Sequence, residues 1–118
     1  MAVATLRNLL LAAVLLGAAP AAAQQNRSTL NYSGSVTTGG TFQQIRPAEP
    51  RWSITVQNNN TGTDACWLHV GADTATMANS ILLPAPGGSW QRYYPYVPND
   101  VLQLTCTTTG DKFYVDIQ

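Results

Sequence analysis

The sequence of 118 residues has few charged side chains, a single histidine and only two cysteines. Charged residues make up 10% of the chain, and six Lys and Arg balance six Asp and Glu, so the formal net charge is zero. A chain without a basic run lacks the electrostatic footprint of a nucleic-acid-binding protein or of a protein held at an anionic membrane surface. The length suits one small domain. We therefore expect a single domain that binds no nucleic acid.

The single histidine restricts the enzyme classes open to this chain. Any Ser-His-Asp arrangement would depend on His69, and no G-x-S-x-G nucleophile elbow is present. Most aspartates lie beside Gly, Asn or Thr, where Asp commonly forms turns, and their spacing is not that of a calcium-binding loop. These turn-like aspartates are Asp64, Asp73, Asp100 and Asp111. We predict a protein that is not an enzyme and that holds no metal or cofactor.

One long apolar segment, residues 9–19, lies near the N-terminus. Arg7 precedes this segment, Pro20 follows it, and Ala21–Ala23 supplies the small residues that signal peptidase accepts. The segment is shorter than the roughly 20 residues that span a hydrocarbon core. We therefore predict a cleaved signal peptide over residues 1–23 and a secreted or periplasmic bacterial protein, with no stable membrane insertion after cleavage.

Export changes the interpretation of the two cysteines, because oxidising compartments favour disulfide bonds. Cys66 and Cys106 are the only thiols. The sequence has neither a CxxC redox motif nor the additional ligands that a metal site requires. We predict a disulfide bond between them.

Short runs that alternate apolar and polar residues make up most of the remaining chain, and Asn-, Gly- and Pro-rich turns separate them. The one short helical candidate is residues 72–79. The predicted strands span residues 35–37, 41–45, 52–57, 65–70, 80–83, 89–94, 101–106 and 112–117. The pattern predicts an all-β fold, namely a small antiparallel β-sandwich of jelly-roll or immunoglobulin-like type with one disulfide.

The spacing of the runs also predicts local organisation. The pair around Gly39-Gly40 resembles a tight hairpin, and residues 107–111 resemble a hairpin loop. Residues 24–34 are polar and are expected to form a flexible N-terminal arm or an added edge strand, with the sandwich domain over 35–118. His69 is expected to point toward solvent or a surface groove. The predicted core residues are Cys66, Val101, Leu104, Val115 and Ile117.

An aromatic run is the most distinctive feature of the chain. Rings with a polar tip are enriched where proteins meet proteins, and their flat faces also stack on sugars. The run is therefore the best candidate for a contact surface, although core packing, with alternate members pointing inward, is the interpretation that we favour. Its members are Trp90, Arg92, Tyr93, Tyr94 and Tyr96.

Five strings of residues follow one another in a recognisable order of strand and turn signals. They are Arg51–Asn58, Trp67–Gly71, Ser80–Pro84 with Pro86–Ser89, Val97–Pro98, and Phe113–Val115. Together they resemble a small β-sandwich module of phage and prophage structural proteins, over about residues 35–118. The resemblance implies a fibre or decoration role and brings no catalytic residues. The secretion signal and the cysteine pair depart from that family and favour an exported relative of the module.

These observations predict a secreted or periplasmic, non-catalytic β-sandwich that acts as a structural or protein-interaction module. Its expected partner is another protein or a second copy of itself. The alternative is a carbohydrate-binding module that uses the cluster from Trp90 to Tyr96 on a polysaccharide.

Overall fold

The structure, a computed structural model, describes residues 29–118. The predicted signal peptide lies outside the described residues. Within residues 29–118, no helix has the length and apolar character needed to cross a membrane.

Eight strands form the described domain. One 3₁₀ turn, Met77–Asn79, is all the helix that forms in the predicted helical candidate over 72–79. The strands are β1 (Leu30–Ser35), β2 (Gln43–Arg46), β3 (Ser53–Asn58), β4 (Cys66–Val70), β5 (Ile81–Leu83), β6 (Ser89–Tyr93), β7 (Leu102–Cys106) and β8 (Lys112–Ile117).

The strands form two antiparallel four-stranded sheets, with the orders β1-β8-β3-β6 and β2-β7-β4-β5. Each strand of the first half pairs with its mirror partner in the second half: β1 with β8, β2 with β7, β3 with β6 and β4 with β5. The chain is therefore one long hairpin rolled up so that successive pairs fall in opposite sheets, which is the eight-stranded jelly roll. The prediction of an all-β sandwich is confirmed, and of the two types considered the jelly roll is the one observed.

The core lies between the sheets and contains every second residue of the central strands. Ile54, Val56 and Val115 of the first sheet are fully buried, as are Leu68 and Leu104 of the second. Each such side chain contributes roughly 1.5–3 kcal/mol relative to an exposed position.

Four of the five predicted core residues, Cys66, Leu104, Val115 and Ile117, are buried. Val101 is the exception, because it precedes β7 and is only partly buried. Its neighbour Leu102 is fully buried in its place.

The predicted disulfide is present between Cys66 and Cys106. The two residues lie directly opposite each other on the neighbouring strands β4 and β7, and both are fully buried. The bond closes a loop of the chain with a sequence separation of 40 residues.

The two predicted hairpins are wrong. Gly39-Gly40 connects β1 to β2, and residues 107–111 connect β7 to β8, but in each case the two strands belong to different sheets. The loops lie side by side, where the Gly40 N–H donates to the Cys106 carbonyl at 2.9 Å. Alternation with period two shows that a segment is a strand but does not show which sheet it joins.

Residues 30–34, predicted as part of an N-terminal arm, form most of β1. The structure therefore takes the edge-strand option, and the domain begins before residue 35. Gly34 allows this strand to pack closely, because a Cβ there would lie 2.7 Å from Cε2 of the Phe113 ring. The Tyr32 hydroxyl donates to the Ile45 carbonyl at 2.7 Å and links the two sheets.

Candidate functional site

Strand β6 is an edge of the first sheet, and its alternation divides the predicted contact surface. Trp90 is 8% exposed and belongs to the core, whereas Tyr93 is 60% exposed. The inclusion of Trp90 in the contact surface is therefore corrected, because its indole faces the interior of the sandwich. The Arg92 guanidinium covers this ring at 4.9 Å from the ring centroid.

The rings that follow β6 remain outside the core. Tyr94 and Tyr96 are 63% and 81% exposed. The Tyr94 N–H donates to the Trp52 carbonyl at 2.8 Å, and the two rings pack with centroids 4.2 Å apart and an interplanar angle of 39°. Trp52 itself is 41% exposed. We call Trp52, Tyr93, Tyr94 and Tyr96 together the aromatic surface.

Three rings of the aromatic surface, those of Trp52, Tyr93 and Tyr94, border a groove of about 440 Å³ on the outer face of the first sheet. We call it the aromatic groove. The strand register explains its composition, because side chains of paired residues emerge on the same face of a sheet. Ser53 pairs with Tyr93, and Thr55 pairs with Asp116. The polar part of the lining consists of Ser53, Thr55, Asp116 and Gln118.

Asp116 has the most unusual environment in the aromatic groove. Its Oδ1 atom is buried and has no hydrogen-bond partner within the described structure. A buried polar atom without a partner costs roughly 1–3 kcal/mol, and more when it carries charge. None of the seven residues that line the groove is Lys, Arg or His. The groove therefore places a carboxyl group, one oxygen of which lacks a partner, beside aromatic faces.

Arg51 is a buried charged residue that holds together the loops beside this surface. Its side chain is fully buried. Nη1 donates to the carbonyls of Pro98 and Asp100 at 2.8 and 2.9 Å, and Nη2 donates to the Pro47 carbonyl at 2.7 Å. These bonds join the β2–β3 loop to the β6–β7 loop, which carries Tyr94 and Tyr96.

Glu49 completes the charge arrangement around Arg51. It accepts two hydrogen bonds from Arg46, at 2.8 and 2.5 Å, and one from Arg51 Nε at 3.4 Å. The Arg46 hydrogen bonds, followed by the charges of Arg46 and Arg51, lower the pKa of the Glu49 carboxyl. Burial lowers the pKa of Arg51, and Glu49 partly compensates.

His69 does not point to solvent or to a groove, contrary to the prediction. It lies on the outer face of the second sheet but is only 6% exposed, because the β4–β5 loop folds over it. Its Nε2 atom lies 2.8 Å from Asp73 Oδ1, and its Nδ1 atom lies 3.2 Å from the Asn79 carbonyl oxygen. The hydrogen bond with His69 lowers the pKa of the Asp73 carboxyl. His69 therefore anchors the β4–β5 loop.

No cluster of three or more His, Cys, Asp or Glu side chains within residues 29–118 is arranged to hold a metal ion. Asp111 accepts a hydrogen bond from the Thr108 N–H at 2.9 Å, as expected for an aspartate in a turn. Burial raises the pKa of Asp111, and the nearby Asp64 raises it further.

No protein-family model matches this chain. A search of curated proteins also finds no match. Among solved structures, the chain is similar to one described with the words "Bacillus endospore appendages form a novel family of disulfide-linked pili". The two share 14% identity, and the match covers 76% of this chain and 82% of the other, with a TM-score of 0.47. That likeness is too distant to carry a function across.

The comparisons leave the resemblance to phage structural modules as a prediction. Both cysteines of this chain are bonded to each other, so no thiol remains for a bond between chains.

Trp52, Asp116 and Gln118 line the groove but were not predicted from the sequence as part of a site. Trp52 lies far from the aromatic run in sequence, and only the pairing of β3 with β6 and β8 brings the three segments together. Alternation gave no signal for Trp52, because this residue is in phase with the buried Ile54 and Val56 of the strand that it precedes.

Proposed function

We propose that this protein is an exported, non-catalytic jelly-roll module that binds a protein partner, or a second copy of itself, through the aromatic surface. The observation that carries this proposal is the exposure of four large rings, between 41% and 81%, at one end of the first sheet. Exposed rings gathered in one place are typical of protein interfaces, where Tyr and Trp supply most of the binding energy.

The framework beneath these rings supports the same role. Arg51 binds three backbone carbonyls on two loops and thereby holds the segment that carries Tyr94 and Tyr96. A contact surface that is already ordered loses less conformational entropy when it binds. Of the groups that could serve catalysis, His69 and Asp73 form a hydrogen bond with each other, and Asp111 accepts one from the Thr108 N–H.

The proposal is tested by comparing two double variants of the mature protein. Tyr94→Ala with Tyr96→Ala removes rings from the aromatic surface. Met77→Ala with Leu82→Ala removes exposed apolar side chains from the β4–β5 loop and the second sheet. Sedimentation velocity measures self-association, and a photo-crosslinking residue at position 96 identifies a partner by mass spectrometry.

We expect the tyrosine variant to weaken association at least tenfold while its circular dichroism stays unchanged, because hot-spot rings contribute about 1.4 kcal/mol or more each. The control variant is expected to associate like the wild type. Association that survives the loss of both tyrosines, but is lost in the control variant, would show that the working surface lies on the other sheet.

A polysaccharide is the second candidate partner. The packed rings of Trp52 and Tyr94 offer flat faces beside the hydroxyl groups of Ser53 and Thr55, as a sugar-binding groove requires. Pull-down of the mature protein with cellulose, chitin and peptidoglycan tests this candidate. Binding that is insensitive to salt and is lost in Trp52→Ala would favour it over a protein partner.

A further inference from the structure

We propose that the aromatic groove is a receptor for a basic side chain of the partner protein, and that it takes arginine in preference to lysine. The inference rests on the proposed binding function and names the chemistry of the partner at that site. Charge and ring geometry support it separately.

Asp116 is the acidic residue of the aromatic groove. This partly exposed residue lies in the groove lining, which contains no basic residue, and one oxygen of its carboxyl group, Oδ1, is buried without a hydrogen-bond partner among the described residues. A carboxylate oxygen accepts hydrogen bonds and cannot donate them, so the missing partner must be a donor. Donors that carry positive charge make the strongest bonds to carboxylates, about twice as strong as neutral donors.

The basic residues of the described chain that lie nearest in the sheet are occupied elsewhere. Arg92 covers the Trp90 ring and donates to the Gln91 carbonyl at 2.7 Å. Arg46 and Arg51 bond to Glu49. Lys112 lies at the opposite end of β8 and pairs with Ser35 rather than with the groove strands. None of these basic residues of the described chain complements Asp116, which leaves the groove open to a cation from a partner molecule.

Aromatic rings form part of the walls of the groove. Trp52, Tyr93 and Tyr94 line it, and the face of an aromatic ring carries negative potential that attracts cations. A guanidinium group is planar and weakly hydrated, so it stacks on rings while its N–H groups reach a carboxylate. An ammonium group is compact and strongly hydrated, and it gains less from the same walls. These properties favour arginine.

The remaining lining suits the same ligand. Ser53 and Thr55 provide hydroxyl oxygens, and Gln118 provides an amide oxygen, all of which accept hydrogen bonds. A guanidinium group has five N–H donors, more than one carboxylate can satisfy. The volume of about 440 Å³ is sufficient for one long side chain.

The experiment uses the mature protein labelled with ¹⁵N and three blocked tripeptides with Arg, Lys or citrulline between two glycines. Citrulline has nearly the shape of arginine without its charge. We expect the Arg peptide to shift the amide signals of Ser53, Thr55 and Asp116, and to bind at least tenfold more tightly than the citrulline peptide. Its affinity is expected to fall when salt is raised from about 0.05 to about 0.5 M, because salt screens the charge.

Two variants locate the effect. Asp116→Asn keeps the shape of the groove but removes its charge, and we expect it to abolish the difference between the Arg and citrulline peptides. Asp100→Asn removes the same charge from an exposed turn outside the groove lining, and it is expected to bind the Arg peptide like the wild type.

Three results would overturn the inference. Equal binding of the Arg and citrulline peptides would show that charge is not recognised. Tight, salt-insensitive binding of a cellulose or chitin oligosaccharide at the same amides would make the groove a sugar site. Absence of groove shifts with every peptide, while Tyr94→Ala with Tyr96→Ala still weakens partner association, would remove the inference but leave the proposed function intact.

Discussion

Arg51 shows how much a single residue can determine in a domain this small. Its guanidinium is buried and donates hydrogen bonds to three carbonyls and one carboxylate. These bonds connect the β2–β3 loop to the β6–β7 loop. A buried charge is tolerated only when its donors are paired. The stability of the domain therefore depends on a guanidinium group at position 51 and not only on a positive charge.

We predict that Arg51→Lys lowers the free energy of unfolding by about 3 kcal/mol, because an ammonium group cannot reach carbonyls on both loops and leaves some of them unpaired. Urea denaturation monitored by tryptophan fluorescence measures this. Arg46→Lys is the control, since Arg46 forms a partly exposed pair with Glu49, and we expect it to cost about 1 kcal/mol or less. Equal effects of the two variants would contradict the role assigned to Arg51.

Glu49 makes the stability of the domain depend on pH. Its pKa is lower in the folded protein than the usual value of about 4.3, so its contribution is complete above that value and is lost as the pH falls through the folded pKa. The raised pKa of Asp111 acts in the opposite sense, because its contribution is lost as the pH rises through its folded pKa.

Comparison with Glu49→Gln isolates the first effect. We predict that this variant is less stable than the wild type by about 1 kcal/mol at neutral pH and that the difference decreases as the pH falls below the usual carboxyl pKa of about 4.3 and through the lowered pKa of Glu49. Urea midpoints measured at several pH values in that range test this. A difference that stays constant with pH would show that the Glu49 charge does not contribute.

The burial of Asn58 and His69 could not be predicted from the sequence around them. Asn58 looks like the first residue of a turn, yet it is fully buried at the end of β3 and donates to the carbonyls of Asp64 and Leu83, both at 2.9 Å. His69 was expected to point toward solvent or a groove, but a loop that crosses the outer face of its strand buries it. Periodicity describes the strand alone, and these partners come from elsewhere in the chain.

At the scale of elements, β1 depends on the absence of a side chain at one position. Gly34 lies opposite Phe113, and the Phe113 ring occupies the space that a Cβ would need. Phe113 is buried and packs edge-on against Tyr32, with ring centroids 6.3 Å apart. Gly34 therefore sets the distance between the edge strand and the core.

We predict that Gly34→Val destabilises the domain by about 2–3 kcal/mol, because it overpacks the core at Phe113. Ser33→Val is the matched control, since Ser33 is exposed on the opposite face of the same strand and should change stability by less than about 0.5 kcal/mol. Thermal unfolding followed by circular dichroism measures both.

Restoring space provides a second test of the same contact. Adding Phe113→Leu to Gly34→Val is expected to recover part of the lost stability, which a purely backbone effect of replacing glycine would not permit. Full additivity of the two changes would contradict the steric explanation.

The strands were easier to predict from the sequence than the pairing between them. Strands β3, β4 and β8 follow from alternating β-branched and aromatic residues, and their observed bounds lie within one residue of the expected ones. Gly39-Gly40 suggested a hairpin because a tight turn usually joins strands that pair. In a jelly roll, a turn at that point instead carries the chain from one sheet to the other.

At the scale of the whole molecule, the disulfide joins β4 and β7 and closes a loop with a sequence separation of 40 residues. Cross-linking a loop of that length restricts the unfolded chain and, in the chain-entropy model, stabilises the fold by about 4 kcal/mol. A domain of this size commonly has a total stability of only about 5–10 kcal/mol.

We predict that Cys66→Ala with Cys106→Ala lowers the unfolding free energy by about 4 kcal/mol. Because both cysteines are fully buried, dithiothreitol should leave the native wild-type protein unchanged and reduce it only in denaturant. Guanidinium titration and thiol labelling test the two parts. Rapid reduction of the native protein would contradict the observed burial of the bond.

The aromatic groove also depends on the fold of the whole domain. Trp52 and Asp116 are distant in sequence, and they meet only because β3 pairs with β8 in one register. A one-residue shift in that register would move the Asp116 side chain to the core face of the sheet, and the groove would be lost. The composition of the aromatic run could be judged from sequence, but the groove required the fold.

The pairing of β1 with β8 determines where a tag or a label can be attached without obstructing the aromatic groove. Leu30 lies opposite Ile117, so the two ends of the described chain leave the domain side by side, and Gln118 is itself part of the groove lining. A purification tag or fluorophore fused after Gln118 would stand at the mouth of the aromatic groove and compete with whatever binds there. Labels are better placed on the far sheet, for example at Thr74 in the exposed part of the β4–β5 loop.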